Sequence, residues 1–436
     1  MSQLVPLSPL APTLVQVRLS EISFDEVVYP RKDHDPVLVQ RYATVLDEIE
    51  AKQRYIAIAT DKTLLDGKHR WLAYKKRYEG EDPLLTVLQY EVTAPHERLK
   101  LATALNSEHG WQLTETDKEA TAKTLYAYGC TYDDIASTLS VGKATVSQWL
   151  SRTVKDNKDR RDRKIQEMWL ACSTQDEIAQ ACGCSQQTVT NVVEDFTNAV
   201  LQNQNSKAAA SHATDFAPPL YNVWKQQTAS AGMRHPGQSE TRWVDNLLYL
   251  YTAPFDIVID PFAGGGSTID LCKTRFRRYW VCDRKPIIER AHEIRSWDMT
   301  AGTPPLPRWK DVRLIYLDPP YWKQAEGAYS TDPTDLANME LAIFTTTLGG
   351  IIAGFAKKLS TGSVIAMLMQ PTQWRAPDKH YTDHVADMLR LIPLPLDMRY
   401  QCPYESQQCT AQMVEWAKVE KLCLVLSREL VVWRIP

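Results

Sequence analysis

The sequence lacks the features that mark membrane-spanning, exported and zinc-binding proteins. Its 436 residues contain no window of about 18 uncharged apolar residues, so we expect no transmembrane helix. The segment Met1–Pro12 has neither the basic region nor the apolar stretch of a secretion signal, which favours a cytoplasmic protein. The nine cysteines form no paired CxxC spacing, so we expect free thiols and no metal site.

The sequence also lacks a large excess of either sign of charge. The formal net charge is -3, which argues against nucleic-acid binding through bulk charge but leaves local basic patches open. One such patch lies between Arg152 and Lys164, where seven Lys or Arg stand against three Asp. An ordinary solvated linker explains this stretch equally well. The length fits roughly two to four globular domains.

A glycine loop follows the predicted strand at Ile257–Asp260. Gly264–Gly266 would turn the chain into a helix, and glycines let the backbone approach a ligand. No Lys follows these glycines, which excludes a Walker A phosphate loop. In an open α/β sheet, ligands bind at this end of a strand. Asp260 can hold an ammonium group, and Asp283 can accept hydrogen bonds from ribose hydroxyls. Asp298 can accept from an adenine amine, or it can simply lie at a helix end or in a turn.

A second string, Asp318-Pro319-Pro320-Tyr321, begins 58 residues after Asp260 and ends the predicted strand Leu314–Leu317. The exocyclic amine of adenine or cytosine is a poor nucleophile because its lone pair is delocalised into the ring. The Asp318 carboxylate and the Pro319 carbonyl can accept both amine hydrogens and so localise that lone pair, in a loop that two prolines hold rigid. Tyr321 offers a ring on which an extruded base can stack.

Strands and helices alternate from Arg234 to the end, which predicts an α/β, doubly wound parallel sheet. Upstream, the segments 117–150 and 164–196 each have a helix-turn-helix layout. Either segment could instead be a packing hairpin of helices. The candidate DNA-binding side chains are Lys143, Thr145, Ser147 and Gln148 in the first segment, and Gln186, Gln187, Thr190 and Asn191 in the second.

The region from about His235 onward resembles the DNA N6-adenine/N4-cytosine methyltransferases, with the glycine loop as their first motif and Asp318 to Tyr321 as their catalytic motif. The resemblance implies a Rossmann-like sheet, S-adenosylmethionine as cofactor, duplex DNA as partner, and Asp318, Pro319, Pro320 and Tyr321 as catalytic residues. The implied cofactor-binding residues are His235, Pro236, Asp260, Phe262, Ala263, Gly264, Gly266, Thr268, Asp283 and Asp298.

The resemblance also favours adenine over cytosine, because cytosine enzymes of this family more often carry Ser in place of Asp318. Cytosine N4, an RNA substrate, and a partition-type DNA-binding regulator without catalysis remain open, as does a homodimer. A loop set at Gln370–Gln408 is our candidate for target recognition, with ordinary surface loops as the alternative. Its side chains of interest are Trp374, Arg375, Lys379, His380, Arg399 and Tyr404.

The N-terminal residues resemble the ParB/sulfiredoxin-like fold, an α+β domain. The resemblance rests on Asp66–Arg70, Tyr29-Pro30-Arg31 and Asn106–Gly110. It implies a phosphate or nucleotide site, for CTP or ATP, at the turn that opens a helix. A module that only serves DNA specificity, or a surface Arg70, is the alternative. The residues of this nucleotide site would be Gly67, Lys68, His69 and Arg70.

These motifs predict five segments: a ParB-like domain at 14–112, helix-turn-helix units at 113–155 and 156–200, a linker at 201–220, and a methyltransferase domain at 221–436. The fusion resembles phage or mobile-element enzymes. No nuclease motif accompanies it, so a self-contained restriction enzyme is not expected.

Overall fold

The computed structural model describes residues 11–31, 33–108, 113–203, 219, 221–225, 240–306, 308–327, 329–373, 381–403 and 410–436. The chain divides into two compact units, Met1–Arg160 and Arg161–Pro436. The finer segment boundaries remain a prediction. Within the described ranges, no helix is both long and apolar enough to cross a membrane.

The first unit combines a four-stranded sheet with helices, as the α+β prediction requires. The sheet has the order β1-β4-β2-β3, with β2 and β4 parallel and the other pairs antiparallel. The elements of this unit are β1 (Thr13–Arg18), α1 (Pro36–Thr44), α2 (Leu46–Ala51), β2 (Ile56–Ala59), β3 (Leu64–Asp66), α3 (Lys68–Arg77), β4 (Leu84–Tyr90), α4 (Pro95–Glu108), α5 (Glu115–Ala127), α6 (Tyr132–Leu139) and α7 (Lys143–Leu170), of which α7 continues into the second unit.

A buried hydrogen-bond network joins the three N-terminal segments that carry the ParB-like resemblance. The Tyr29 hydroxyl accepts from the backbone N–H of Lys68 at 3.1 Å and donates to Asn106 Oδ1 at 3.0 Å. Asn106 Nδ2 donates in turn to the carbonyl of Leu65 at 2.9 Å. The network thereby fixes the turn before α3 against α4.

The cations of this turn bind within their own unit. Gly67 has φ +94°, which lets the chain turn sharply into α3. The Arg70 guanidinium donates to the carbonyls of Arg54 and Tyr55, both at 2.8 Å, and to the Asp66 carboxylate at 2.7 Å. The partly buried Arg70 is therefore a structural tie between two loops.

Lys68 and His69 are both buried, at 7% exposure each. The Lys68 ammonium lies 4.6 Å from the centroid of the Phe24 ring, and His69 Nε2 accepts from the backbone N–H of Asp35 at 2.9 Å. Burial lowers the pKa of His69, so the ring is held neutral as an acceptor. A phosphate site at these residues remains a prediction.

The second unit contains a seven-stranded sheet, which confirms the doubly wound prediction. Its order is β10-β11-β9-β8-β5-β6-β7, and only β11 runs antiparallel to its neighbours. The elements are α8 (Gln175–Cys182), α9 (Gln186–Asn203), α10 (Thr241–Tyr251), β5 (Ile257–Asp260), α11 (Ser267–Thr274), β6 (Arg278–Asp283), β7 (Arg295–Ser296), β8 (Val312–Leu317), α12 (Leu341–Ala356), β9 (Val364–Met369), α13 (His384–Leu391), β10 (Leu396–Pro403), α14 (Ala411–Glu420) and β11 (Ser427–Arg434).

Strand β5 lies at the centre of this sheet and all four of its residues are buried. It pairs with β6 on one side and β8 on the other, so the chain reverses its direction of winding at β5. Helices cover both faces: Phe344 and Ile352 of α12 pack on one, and Leu247 of α10 and Ile269 of α11 on the other. Such a reversal leaves a crevice at the carboxyl ends of β5 and β8.

The helix pairs α6/α7 and α8/α9 share one design. A Thr caps the first helix of each pair, Thr131 for α6 and Thr174 for α8, in a capping box with the acidic residue three positions later. Each first helix ends in a left-handed residue, Ser140 or Gly183. The predicted order of helix, turn and helix is thus present in both segments.

The interpretation of Gln370–Gln408 as a set of loops is wrong for much of the segment. It contains helix α13 and the edge strand β10. Arg399 lies on β10, and its Nε donates to Glu429 of β11 at 3.1 Å, so a neighbouring strand already binds it. The other five side chains of interest, Trp374, Arg375, Lys379, His380 and Tyr404, lie outside the described residues.

The change Tyr29→Phe tests the N-terminal network. It leaves Asn106 Oδ1 without its buried donor, at a cost of about 1–3 kcal/mol. We expect backbone amides of β3 and α4 in the full chain to exchange with deuterium about ten to a hundred times faster. The control is Tyr42→Phe, a ring in the same core, with little effect expected. Equal exchange in wild type and Tyr29→Phe would show that the network contributes nothing.

Candidate active site

A cavity of about 960 Å³ opens at the carboxyl ends of β5, β6 and β8. It brings together both halves of the site that the sequence predicts. The predicted residues that line it are Asp260, Phe262, Ala263, Gly264, Thr268, Asp283, Asp298, Asp318, Pro319, Pro320 and Tyr321.

Three further residues of this site were predicted from the sequence. His235 and Pro236 lie outside the described residues. Gly266 is not part of the lining but begins α11 with φ +77°, and its carbonyl accepts from Arg290 Nη1 at 2.6 Å. A Cβ at Gly266 would come within 2.6 Å of the same nitrogen, at the end of a flexible side chain, and it is the φ of +77° that favours glycine at this position.

Asp260 ends β5 and is only 3% exposed. Its Oδ2 accepts from the Thr268 hydroxyl at 2.6 Å, and its Oδ1 accepts from the backbone N–H of Phe262 at 3.0 Å. Burial raises the pKa of Asp260 to about 7, these hydrogen bonds oppose the rise, and the carboxylates of Asp318 and Asp283 add to it. A bound cation would relieve this crowding.

Asp283 ends β6 and fastens the glycine loop to the sheet. Its Oδ2 accepts from the backbone N–H of Gly264 at 3.0 Å, and its Oδ1 accepts from that of Lys285 at 2.9 Å. A carboxylate has about four acceptor positions, so Asp283 can accept further hydrogen bonds from ligand hydroxyls in the cavity.

Asp298 has the helix-end role that the sequence left open. Its Oδ1 accepts from the backbone N–H of Thr300 at 2.9 Å and caps a short 3-10 helix, Met299–Ala301. Its Oδ2 pairs with Arg284 Nε at 3.2 Å. The side chain also lines the cavity, so a contact with an adenine ring stays a prediction.

The Asp318–Tyr321 string follows directly on β8, one strand away from Asp260. The Tyr321 hydroxyl donates to Asp318 Oδ1 at 3.0 Å, which restrains the rotation of the carboxylate. The guanidinium carbon of Arg428 lies 5.3 Å from the centroid of the Tyr321 ring, so a cation stands beside the aromatic wall of the cavity.

Several residues of the cavity wall were not predicted. Tyr316 could have been predicted from the sequence, because it lies two positions before Asp318 and so faces the same side of β8. Its hydroxyl is buried and has no hydrogen-bond partner among the described residues. Arg428 could not have been predicted from the sequence, because only the pairing of β11 with β9 brings it to the site. The unpredicted polar residues include Tyr316, Gln324, Tyr329, Gln370 and Arg428.

The chemistry of this wall fits S-adenosylmethionine. That molecule carries an ammonium, a sulfonium, two ribose hydroxyls and an adenine amine, which are cations or hydrogen-bond donors. The wall presents carboxylates as acceptors together with aromatic and aliphatic side chains. A metal site has no such support, because no group of three or more His, Cys, Asp or Glu in the described ranges has a metal-binding arrangement. The carboxylates are Asp260, Asp283, Asp298 and Asp318, and the apolar side chains include Phe262, Ile287 and Trp297.

Replacing Asp260 with Asn should change how stability depends on pH. The folded carboxyl keeps its proton to about pH 7, whereas an unfolded Asp loses it near pH 3.9. The unfolding free energy of the cofactor-free chain therefore contains a contribution that is present below about pH 4 and is lost as the pH rises through 7. Asp260→Asn removes this contribution, which is on the order of 4 kcal/mol.

The measurement is urea unfolding of the full chain between pH 4.5 and 7.5. The control Asp133→Asn, on an exposed side chain, should keep the wild-type slope. A slope that persists unchanged in Asp260→Asn would contradict the protonation of Asp260.

Comparison with solved structures gives remote likenesses. TrmN from Thermus thermophilus is 16% identical with a TM-score of 0.30, over 46% of this chain and 50% of TrmN. A Pnob8-like ParB-N domain is 15% identical with a TM-score of 0.21, over 35% of this chain and 54% of that domain. The mitomycin 7-O-methyltransferase MmcR is 11% identical with a TM-score of 0.25, over 70% of this chain and 88% of MmcR.

This chain thus spans about half the length of TrmN and of the ParB-N domain. At these scores the likenesses carry no argument about activity. No curated protein matches the sequence significantly.

A family model described as "DNA methylase", of the N6/N4 type, matches residues 112–293. The match includes both helix pairs and the glycine loop and ends before Asp318, and it confirms the resemblance to the N6-adenine/N4-cytosine DNA methylases.

Proposed function

We propose that this protein transfers the methyl group of S-adenosylmethionine to the exocyclic amine of a base flipped out of duplex DNA. One observation carries the proposal: Asp260 and Asp283 share a single cavity with Asp318 and Tyr321. The first two side chains suit a cationic cofactor, and the last two suit an amine on a flat ring. Methyl transfer is the reaction that needs both in one place.

The base half of the cavity activates the amine. The Asp318 carboxylate and the Pro319 carbonyl each accept a hydrogen bond from the amine, so the nitrogen lone pair is localised toward the methyl group. As the methyl–nitrogen bond forms, the methyl–sulfur bond would break to leave a neutral thioether, and the surplus amine proton would pass to the Asp318 carboxylate. Tyr321 stacks on the base and, through its hydroxyl, holds the carboxylate in orientation. Two prolines keep the acceptors in place before the base arrives.

The cofactor half of the cavity orients the donor. When bound, S-adenosylmethionine would supply a methyl group made electrophilic by its sulfonium. Asp260 would hold the ammonium, Asp283 the ribose hydroxyls and Asp298 the adenine amine. The backbone at Gly264 would let the cofactor approach closely. His235 and Pro236 would lie at the methionine end, as the family resemblance implies.

Adenine N6 is the target that we propose, with cytosine N4 as the alternative. The support is Asp318 at the first position of the catalytic string, where the cytosine enzymes more often carry Ser. The acceptor pair itself would bind either amine, because both bases present two hydrogens on an exocyclic nitrogen.

DNA contacts are proposed for the exposed start of α7. Lys143, Ser147 and Gln148 are exposed there and Thr145 is half-buried, while Val146 and Leu150 point into the core of the helix pair. Lys143 pairs with Asp133 at 2.9 Å on the surface, a contact that a DNA phosphate can replace at little cost. These side chains suit hydrogen bonds to phosphates and base edges.

Substitutions at Asp318 test the proposed chemistry. Asp318→Ala removes one amine acceptor and should lower the rate of methyl transfer by about a thousandfold or more. Asp318→Asn keeps an acceptor oxygen and should retain substantially more activity than Asp318→Ala. Both should bind the cofactor as the wild type does, measured by calorimetry. The control Asp387→Ala, on the surface of α13, should keep full activity.

Two outcomes would contradict these roles. One is methyl transfer by Asp318→Ala at the wild-type rate. The other is a loss of cofactor binding in Asp318→Asn, which would place Asp318 in the cofactor half of the cavity.

A further inference from the structure

The two helix pairs differ sharply in charge. The segment Gln175–Asn203, which contains the two helices of the second pair, α8 and α9, has no Lys or Arg and four acidic residues. A DNA duplex carries one negative charge for about every 1.7 Å of its length, so this segment offers its phosphates no cation and repels them. The acidic residues are Asp176, Glu177, Glu194 and Asp195.

An aromatic cluster packs the end of α7 and helix α9 of the second pair against the methyltransferase sheet. The Trp169 ring lies 5.3 Å from that of Phe255, and the Phe196 ring lies 5.7 Å from Phe255 and 5.9 Å from Phe276. The guanidinium of Arg278 lies 4.6 Å from the centroid of Trp169, and its Nε donates to the Trp169 carbonyl at 3.2 Å. Aromatic and cation contacts of this kind make a firm interface.

The docking site lies at the edge of the sheet opposite the cavity. Phe255 and Phe276 come just before β5 and β6, and Arg278 is the first residue of β6. The cavity opens where these strands end. Strands of four and six residues separate the two edges by about 13–20 Å.

The polar side chains of the second pair bind each other. Gln187 Nε2 donates to Asn191 Oδ1 at 2.8 Å, and Gln175 Nε2 donates to the Thr190 hydroxyl at 3.3 Å. Gln186 donates to the carboxylate of Asp176. Side chains that were candidates for base contacts thus already have partners in their own helix pair.

The part of helix α7 before residue 165 is basic instead. Lys155 and Lys158 are exposed, and Arg152 is exposed over 92% of its side chain. Arg152 approaches an acidic partner, Asp156, only at 4.0 Å, which is worth little on a surface. These exposed cations lie on a regular helix, where they can neutralise phosphates.

We infer that the two helix pairs bind different partners. The first pair, with the cations of α7, binds the DNA backbone, and the second pair has the methyltransferase sheet of its own unit as its partner. This inference rests on the proposed function, since it assumes that DNA is the substrate. Gln186, Gln187, Thr190 and Asn191 then stabilise the docked pair and do not read DNA.

The test is equilibrium binding of the full chain to mixed-sequence duplex DNA over a series of salt concentrations. In Lys155→Gln/Lys158→Gln, the slope of log K against log salt should fall by about two, because each lysine that contacts a phosphate contributes about one. The control Lys357→Gln/Lys358→Gln removes two exposed charges at the end of α12 and should leave the slope unchanged. Gln187→Ala/Asn191→Ala should bind DNA like the wild type.

The inference is overturned if Gln187→Ala/Asn191→Ala weakens DNA binding, or if the Lys155→Gln/Lys158→Gln slope equals that of the wild type. Methyl transfer by the wild type to the same DNA is measured in parallel. Failure of transfer in the wild type refutes the proposed function, whereas normal transfer with unexpected salt slopes refutes this inference alone.

Discussion

The placement of β5 between β6 and β8 is the constraint on which the site depends. Parallel pairing in register brings the carboxyl ends of these strands to one edge, where Asp260, Asp283 and Asp318 face one cavity. These carboxylates are up to 58 residues apart in the chain, and no local segment contains them all. The sheet must therefore form before the site exists, and the hydrophobic faces under α10, α11 and α12 hold it together.

The same placement concentrates negative charge. Burial raises the pKa of Asp260 to about 7, and the nearby carboxylates of Asp318 and Asp283 add to the rise. Thr268 and the amide of Phe262 moderate this by hydrogen bonding. A cofactor with an ammonium and a sulfonium relieves the remaining repulsion, so the crowding that costs stability in the free protein favours binding.

Much of the fold was predictable because its signals are local. The apolar run at Ile257–Ile259 marked the central strand, and the glycine loop after it marked the start of α11. Features that depend on the pairing of strands far apart in the sequence were not predictable. The edge strand β10 was taken for loops, and Arg428 reaches the cavity only through the antiparallel insertion of β11. The docking of the second helix pair likewise depends on Phe255 and Phe276, which belong to no recognisable sequence motif.

The most direct test of the account is methyl transfer from labelled S-adenosylmethionine to mixed-sequence duplex DNA, followed by digestion and identification of the labelled nucleoside. The account predicts N6-methyldeoxyadenosine, formed by the wild type and absent with Asp318→Ala. N4-methyldeoxycytidine would keep the mechanism and overturn the choice of base. A cofactor-bound protein that labels no nucleoside of DNA would contradict the central claim.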